Sequence, residues 1–157
     1  MNIAEEISEA LGDEWLPLIY RDRIRTQRTR SVAIPVPARE NRPEIQYTLL
    51  GIELKVGKMR FACPDLATAR YMRAFARLGC GEFAIPYDIT RISSAADQLE
   101  TSWQMSLIRL DDLAKDLSRQ QVATLRTKLI RRIREEIEAE GPGDKMPAFD
   151  RPTRQRE

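Results

Sequence analysis

The stretch at residues 57–88 constrains the fold most, because its residues predict a strand, a helix and a returning strand in direct succession. Asp65 stands where a helix N-cap is expected, just before a segment with helical periodicity. Gly79 follows that segment, and glycine readily takes the left-handed conformation on which helices commonly end. The predicted elements are a strand at 59–63, a helix at 66–78 and a strand at 82–87.

The remaining elements predict an α+β fold with one small, mostly antiparallel sheet of three or four strands. Gly57 and Lys58 fit a two-residue hairpin turn with glycine first. This turn pairs one long strand, at 45–56, with the strand at 59–63. The central helix then crosses over and the strand at 82–87 joins the same sheet. Residues 32–36 predict an edge strand, because Pro35 cannot donate a hydrogen bond to a central ladder.

Length and composition predict one globular domain, since 157 residues of which 42% are hydrophobic suffice to build a core. Three segments make up this domain, residues 1–140: a helical and basic segment at 1–30, the strand and helix core at 31–88, and a helical pair at 89–140. Residues 141–157 contain three prolines and two glycines, which predicts a disordered tail.

The N-terminus is acidic and amphipathic, unlike a secretory signal, and no apolar run approaches the ~20 residues that span a membrane. We therefore expect a cytoplasmic protein without a membrane partner.

Two apolar stripes dominate residues 92–137. Their members recur three or four residues apart, as in amphipathic helices: Ile92, Ala96, Leu99, Trp103, Ser106, Leu110, Leu113, Leu117, Val122, Leu125, Leu129, Ile133 and Ile137. Ser118 and Gln121 form a capping box that starts the second helix. Because the sheet already has a helix on one face, we expect part of these stripes to form a homodimer or to bind a helical partner protein.

The chain contains no histidine, which excludes histidine-dependent catalytic triads and histidine metal sites. Cys63 and Cys80 lie at opposite ends of the central helix, about 21 Å apart. A disulfide needs Cα atoms within about 7 Å. The two cysteines are therefore expected to be reduced, and buried as free cysteines usually are.

Arginines are the main candidates for ligand contacts. Five lie close together in the N-terminal segment, and three more recur at i, i+3 and i+7 on the polar side of the central helix. They are Arg21, Arg23, Arg25, Arg28, Arg30, Arg70, Arg73 and Arg77. Neither group requires a ligand: the N-terminal arginines are also explained as a solvated connector, and the helical arginines as a solvated helix face. The arginine fork also suits phosphate. Our preferred hypothesis is a non-enzymatic binding protein, without a cofactor, that contacts DNA or RNA through these eight residues.

An enzymatic alternative comes from Pro43-Glu44 followed by Glu53-Leu54-Lys55. These residues resemble the PD-(D/E)xK nuclease pattern, in which two acids hold a divalent metal and a lysine helps to activate water. The resemblance implies Mg²⁺ or Mn²⁺ as cofactor, with Glu44, Glu53 and Lys55 as catalytic residues. Glu53 and Lys55 are predicted to share one face of a strand, as that chemistry requires. A third alternative is a protein–protein adaptor that acts through the C-terminal helices.

Overall fold

The computed structural model describes residues 2–143 and shows a mixed α+β fold, as predicted. Its helices within these residues are α1 (Ile3–Leu11), α2 (Leu16–Ile19), α3 (Leu66–Arg77), α4 (Ile92–Leu113) and α5 (Arg119–Glu140). Its strands are β1 (Thr29–Ala33), β2 (Glu44–Thr48), β3 (Gly51–Val56), β4 (Met59–Cys63) and β5 (Glu82–Pro86). Short 3-10 turns precede α2 and α4, and a wider helical turn at Tyr20–Ile24 continues α2.

The helix starts predicted at Asp65 and Ser118 are confirmed, because both side chains accept a backbone hydrogen bond as N-caps. Asn2 caps α1 in the same way. Asp65 accepts from the backbone N–H of Thr68 at 2.7 Å. Gly79, just beyond α3, has φ 77°, which is the left-handed conformation expected of it.

The strands form two antiparallel sheets, so the prediction of one sheet is wrong. β2, β3 and β4 form one sheet, and β5 pairs with β1 instead of joining them. Two tyrosine hydroxyls occupy the other edge of β5. Tyr20 accepts a hydrogen bond from the N–H of Ala84 at 2.9 Å, and Tyr71 donates one to the carbonyl of the same residue. Since the N–H and the carbonyl of Ala84, at the middle of this edge, are already bonded, β5 has no place for a third strand.

The predicted long strand at 45–56 is two strands, β2 and β3. They pair antiparallel across a two-residue turn at Leu49 and Leu50, with Thr48 opposite Gly51. Gly51 takes φ 125°, a value that disfavours other residues, and this glycine allows the chain to reverse. The predicted hairpin at Gly57 is confirmed, with φ 62° at the glycine.

The predicted edge strand at 32–36 lies earlier, as β1 at Thr29–Ala33. Pro35 and Pro37 fall in the loop that follows, where no ladder hydrogen bond is required of them. Arg30 thereby belongs to a strand, paired with Ile85, and not to a solvated connector.

The N-terminal helices α1 and α2 contact both long helices, α4 and α5. They cover the apolar stripes that we expected to lack an internal partner: Leu99, Trp103, Leu110 and Ile133 are buried, and Leu125 is half-buried against the same core. The Trp15 indole N–H, between the two helices, donates to Glu136 of α5 at 2.9 Å. Leu117 of the predicted stripe is still 40% exposed. The interface predicted at residues 92–137 and the oligomeric state both stay predictions.

Helix α3 lies at the centre of the molecule. It packs on the three-stranded sheet, and its Tyr71 and Phe75 rings contact Tyr20 and Phe83. The rings of Phe75 and Phe83 stack with centroids 4.3 Å apart. The opposite side of α3, which carries the arginines, faces α4 and not open solvent. Both cysteines are free and buried, as predicted. No helix within residues 2–143 has the length and hydrophobicity to span a membrane.

Candidate nucleic-acid interface

The loop between β1 and β2, residues 34–43, is clamped to the C-terminal end of α3. Asn41 is 8% exposed, and its amide donates to the carbonyls of Pro37, Arg39 and Ala76 at 3.0 to 3.1 Å. Its own backbone N–H donates to the carbonyl of Arg77 at 3.0 Å. Carbonyls at a helix end lack partners within the helix, so one buried asparagine satisfies the helix and fixes the loop together.

Gly79 makes this contact possible. A Cβ at this position would lie 2.4 Å from the backbone nitrogen of Arg39 and 2.8 Å from the carbonyl of Pro37. Any larger residue would have to displace backbone atoms, and its side chain would also disfavour the φ of 77°. The loop is thus held against the helix end by close backbone approach as well as by hydrogen bonds.

The clamped loop directs cationic side chains into two adjoining cavities of about 590 and 580 Å³, which share Glu40, Asn41 and Arg42 as lining residues. We call this surface the loop groove. Its cationic lining residues are Arg39, Arg42, Lys58, Arg77 and Arg126. Glu40 is the one carboxylate lining either cavity, in a chain whose total charge is only +2. Positive charge is therefore concentrated here.

Glu40 is itself bound by one of these cations. The guanidinium of Arg126 donates to both Glu40 carboxylate oxygens, with the Nε at 2.9 and 3.0 Å. This hydrogen bonding raises the pKa of Arg126. The same guanidinium carbon lies 5.7 Å from the centre of the Trp103 ring, a cation–π distance. The ion pair joins the loop to α5 and occupies the one carboxylate that lines the groove.

Three of the lining cations are exposed: Arg39, Arg42 and Lys58. None of the three side chains has a hydrogen bond or ion pair with another described residue. Arg77, by contrast, donates to Glu100 of α4 at 3.1 Å. Desolvation opposes ionisation of that carboxyl, but the charges of Arg77 and Arg73 and the hydrogen bonds from Arg77 and Gln104 together outweigh it and hold the pKa of Glu100 below its usual value.

The N-terminal arginines predicted to contact phosphate lie outside the loop groove, and four of the five side chains have partners within the protein. Arg21 pairs with Asp22 at 2.7 Å, and Arg23 pairs with Glu14 at 2.7 Å and donates to Gln98. The other contacts are Arg25 with the carbonyl of Glu140, at 3.3 Å, and Arg28 over the Tyr87 ring, at 4.6 Å from its centre. Arg30 is half-buried on β1.

The predicted arginine stripe of α3 lies at its contact with α4. Arg70 pairs with Asp97, and Arg77 pairs with Glu100. Between them, the Nε of Arg73 is buried without a hydrogen-bond partner among the described residues. Desolvation lowers the pKa of Arg73. Of the eight predicted arginines, only Arg77 lines the loop groove, so the stripe serves mainly the packing of two helices.

The residues that resemble a nuclease centre share one exposed face of the three-stranded sheet. Lys55 lies directly opposite Glu44, and Glu53 lies two residues along from Lys55, so all three side chains point to the same side. Arg60 occupies that face as well and pairs with Glu53 at 3.2 Å. Within residues 2–143, no three histidine, cysteine, aspartate or glutamate side chains gather closely enough to hold a metal. The predicted Mg²⁺ or Mn²⁺ centre has only two acids, Glu44 and Glu53, and it stays a prediction.

Sequence reasoning missed Arg39, Arg42, Lys58 and Arg126. The local signal is a run of four polar residues between two prolines, Arg39 to Arg42, and such a run resembles an ordinary polar loop. Arg126 is far from this loop in the chain, and no pattern in the sequence relates the two.

Comparison with protein family models, with curated proteins and with solved structures gives no significant match. Any statement about function therefore depends on the site alone.

Proposed function

We propose that this protein is a non-enzymatic binding protein that contacts the phosphate backbone of DNA or RNA through the loop groove. One observation supports this most strongly. Five cationic side chains line two adjoining cavities with a single carboxylate, and that carboxylate is already engaged by Arg126. Phosphate oxygens are the ligands that arginine forks and lysine ammonium groups bind best.

Rigidity of the groove supports the same proposal. Asn41 and Gly79 hold the loop in place, so that Arg39 and Arg42 are positioned by packed backbone and not by a mobile segment. A preorganised site loses less conformational entropy on binding than a flexible arm does. The protein offers no exposed aromatic side chain here, because Trp103 is 3% exposed. We therefore expect contacts with the backbone and little discrimination between base sequences.

The test is a fluorescence-anisotropy titration of single- and double-stranded oligonucleotides at several salt concentrations. If Arg39, Arg42 and Lys58 each neutralise one phosphate of a duplex, affinity falls about 40-fold between 50 and 200 mM salt through these three contacts. The triple variant Arg39→Ala, Arg42→Ala, Lys58→Ala should flatten the slope of log affinity against log salt by about 3.

A charge-matched control exists on other surfaces. Arg91, Lys128 and Arg131 are exposed and do not line the loop groove. Their triple alanine variant removes the same charge and should retain the full salt slope. Equal weakening by both variants would show binding by overall charge alone, and absence of binding by the unaltered protein at low salt would refute the proposal.

A further inference from the structure

The three-stranded sheet has an open edge at β2, with an apolar surface beside it. β2 is the end strand of its sheet, and no described residue hydrogen-bonds to the backbone of Ile45 or Tyr47 on the outer side. Along β2, residues that bond to β3 alternate with residues whose backbone groups point to the open edge. Glu44, Gln46 and Thr48 direct their backbone groups at β3. Ile45 and Tyr47 direct theirs outward. The edge thus presents two N–H donors and two carbonyl acceptors.

Large apolar side chains are exposed at this end of the sheet. Tyr47 is 71% exposed, and Leu49 and Leu50 in the turn are almost fully exposed. Cys63 lies opposite Ile52, so β4 ends at the same level and brings Leu66, which is 41% exposed, to this end as well. A cluster of exposed apolar residues on a soluble protein usually marks an interaction site. β2 also contains no lysine or proline, the residues with which exposed edges are commonly protected.

We infer that β2 pairs antiparallel with β2 of a second copy of this chain, about a two-fold axis at Gln46. This register follows from which groups face outward. Only Ile45 and Tyr47 carry outward backbone groups, and a two-fold pairing about Gln46 sets Ile45 of each copy opposite Tyr47 of the other. The result is four backbone hydrogen bonds and one six-stranded sheet.

The side chains are complementary in this register as well. Ile45 and Tyr47 lie on the same face as the buried Leu54, so the apolar faces of the two sheets become continuous. Glu44 lies opposite Thr48 of the second copy and Gln46 opposite its equivalent, so no like charges face each other. Leu49 comes to the level of Pro43 of the second copy, so apolar atoms of one chain face apolar atoms of the other. A second copy therefore bonds the open backbone groups, extends the apolar face and brings no like charges opposite each other.

Cross-linking tests the register directly. Residues opposite each other in a non-hydrogen-bonded antiparallel pair have Cα atoms about 4.5 Å apart, which a disulfide can bridge. The variant Gln46→Cys should therefore form a disulfide-linked dimer on mild oxidation, while Cys63 and Cys80 are buried and stay reduced. Thr48→Cys is the matched control. Its equivalents lie four residues apart along the strand, about 13 Å, and should not be linked.

Light scattering of the full chain at micromolar concentration tests the assembly itself. The unaltered protein should be a dimer, and Tyr47→Lys should be a monomer with an unchanged circular dichroism spectrum. Ala62→Lys, which is exposed on the outer strand β4 of the same sheet, should remain a dimer. An unaltered protein that is monomeric overturns the inference. So does a dimer that Tyr47→Lys leaves intact and Gln46→Cys fails to cross-link, since its interface would lie elsewhere.

Discussion

The two sheets of this protein are built from strands of five or six residues but have opposite environments. β1 and β5 form a sheet inside the molecule, which we call the inner sheet, and four of the five residues of β5 are buried. Tyrosine hydroxyls bond its free edge, and stacked rings cover its face. The sheet of β2, β3 and β4, which we call the outer sheet, lies at the surface with two open edges and a polar outer face. Satisfied edge groups make a sheet part of the core, whereas open edge groups leave it available for partners.

Removing an aromatic ring should distinguish the two sheets most strongly. Phe75 is fully buried against Phe83, and Phe75→Ala should lower the free energy of unfolding by about 3–5 kcal/mol, because a large cavity is left beside β5. Leu49→Ala at the tip of the outer sheet should change it by less than about 0.5 kcal/mol. Urea unfolding of both variants measures the contrast, and similar losses would contradict it.

Two tyrosines offer a single-atom version of the same comparison. Tyr20→Phe removes the hydroxyl that accepts from Ala84 and donates to the carbonyl of Gly141 at 2.6 Å. We expect a loss of about 1–3 kcal/mol, since a buried N–H loses its partner. Tyr47→Phe removes an exposed hydroxyl and should leave the unfolding free energy of the monomeric protein unchanged. A stable Tyr20→Phe variant would show that water or another group replaces the hydroxyl.

Alkaline pH should weaken the inner sheet. Cys80 lies two residues before β5, and burial raises the pKa of the Cys80 thiol to about 12 from an ordinary value of 9.0. The folded state holds this proton more tightly, so the contribution to stability is complete below pH 9 and is lost as pH rises from 9 to 12.

At pH 10 this loss amounts to about 1 kcal/mol. Burial also raises the pKa of Tyr20 to about 12, which adds to the loss at higher pH. The measurement is the urea midpoint at pH 8 and pH 10. Cys80→Ala should show a smaller difference between the two than the unaltered protein, and an identical difference would exclude Cys80 as the source.

The smallest effect is expected from the ion pair on the outer sheet. Glu53 and Arg60 are 3.2 Å apart, but the Arg60 side chain is 52% exposed, so water screens the pair. A double-mutant cycle with Glu53→Gln and Arg60→Gln should give a coupling energy of about 0.2–1 kcal/mol that decreases with added salt. A coupling of several kcal/mol would mean that this face is buried in solution, for example by a partner.

Much of the local structure could be predicted because its causes are local. Asp65 and Ser118 cap helices through their own backbone neighbours, and Gly57 and Gly79 take conformations that their residue type favours. The candidate site could not be predicted in the same way. Arg39 and Arg42 reach the groove because Asn41 bonds the carbonyl of Ala76, a contact between residues far apart in the chain.

The sequence by itself determined the helices, the hairpin at Gly57, the reduced cysteines and the α+β class, since capping residues, turn glycines and hydrophobic periodicity act over a few neighbouring residues. The tertiary structure alone decided that the strands divide into two sheets and that α1 and α2 cover much of the apolar stripes of the long helices. It also decided that five cations from distant parts of the chain line the loop groove. These outcomes depend on which distant groups satisfy each other: a tyrosine hydroxyl that replaces a neighbouring strand leaves no periodic signal in the sequence.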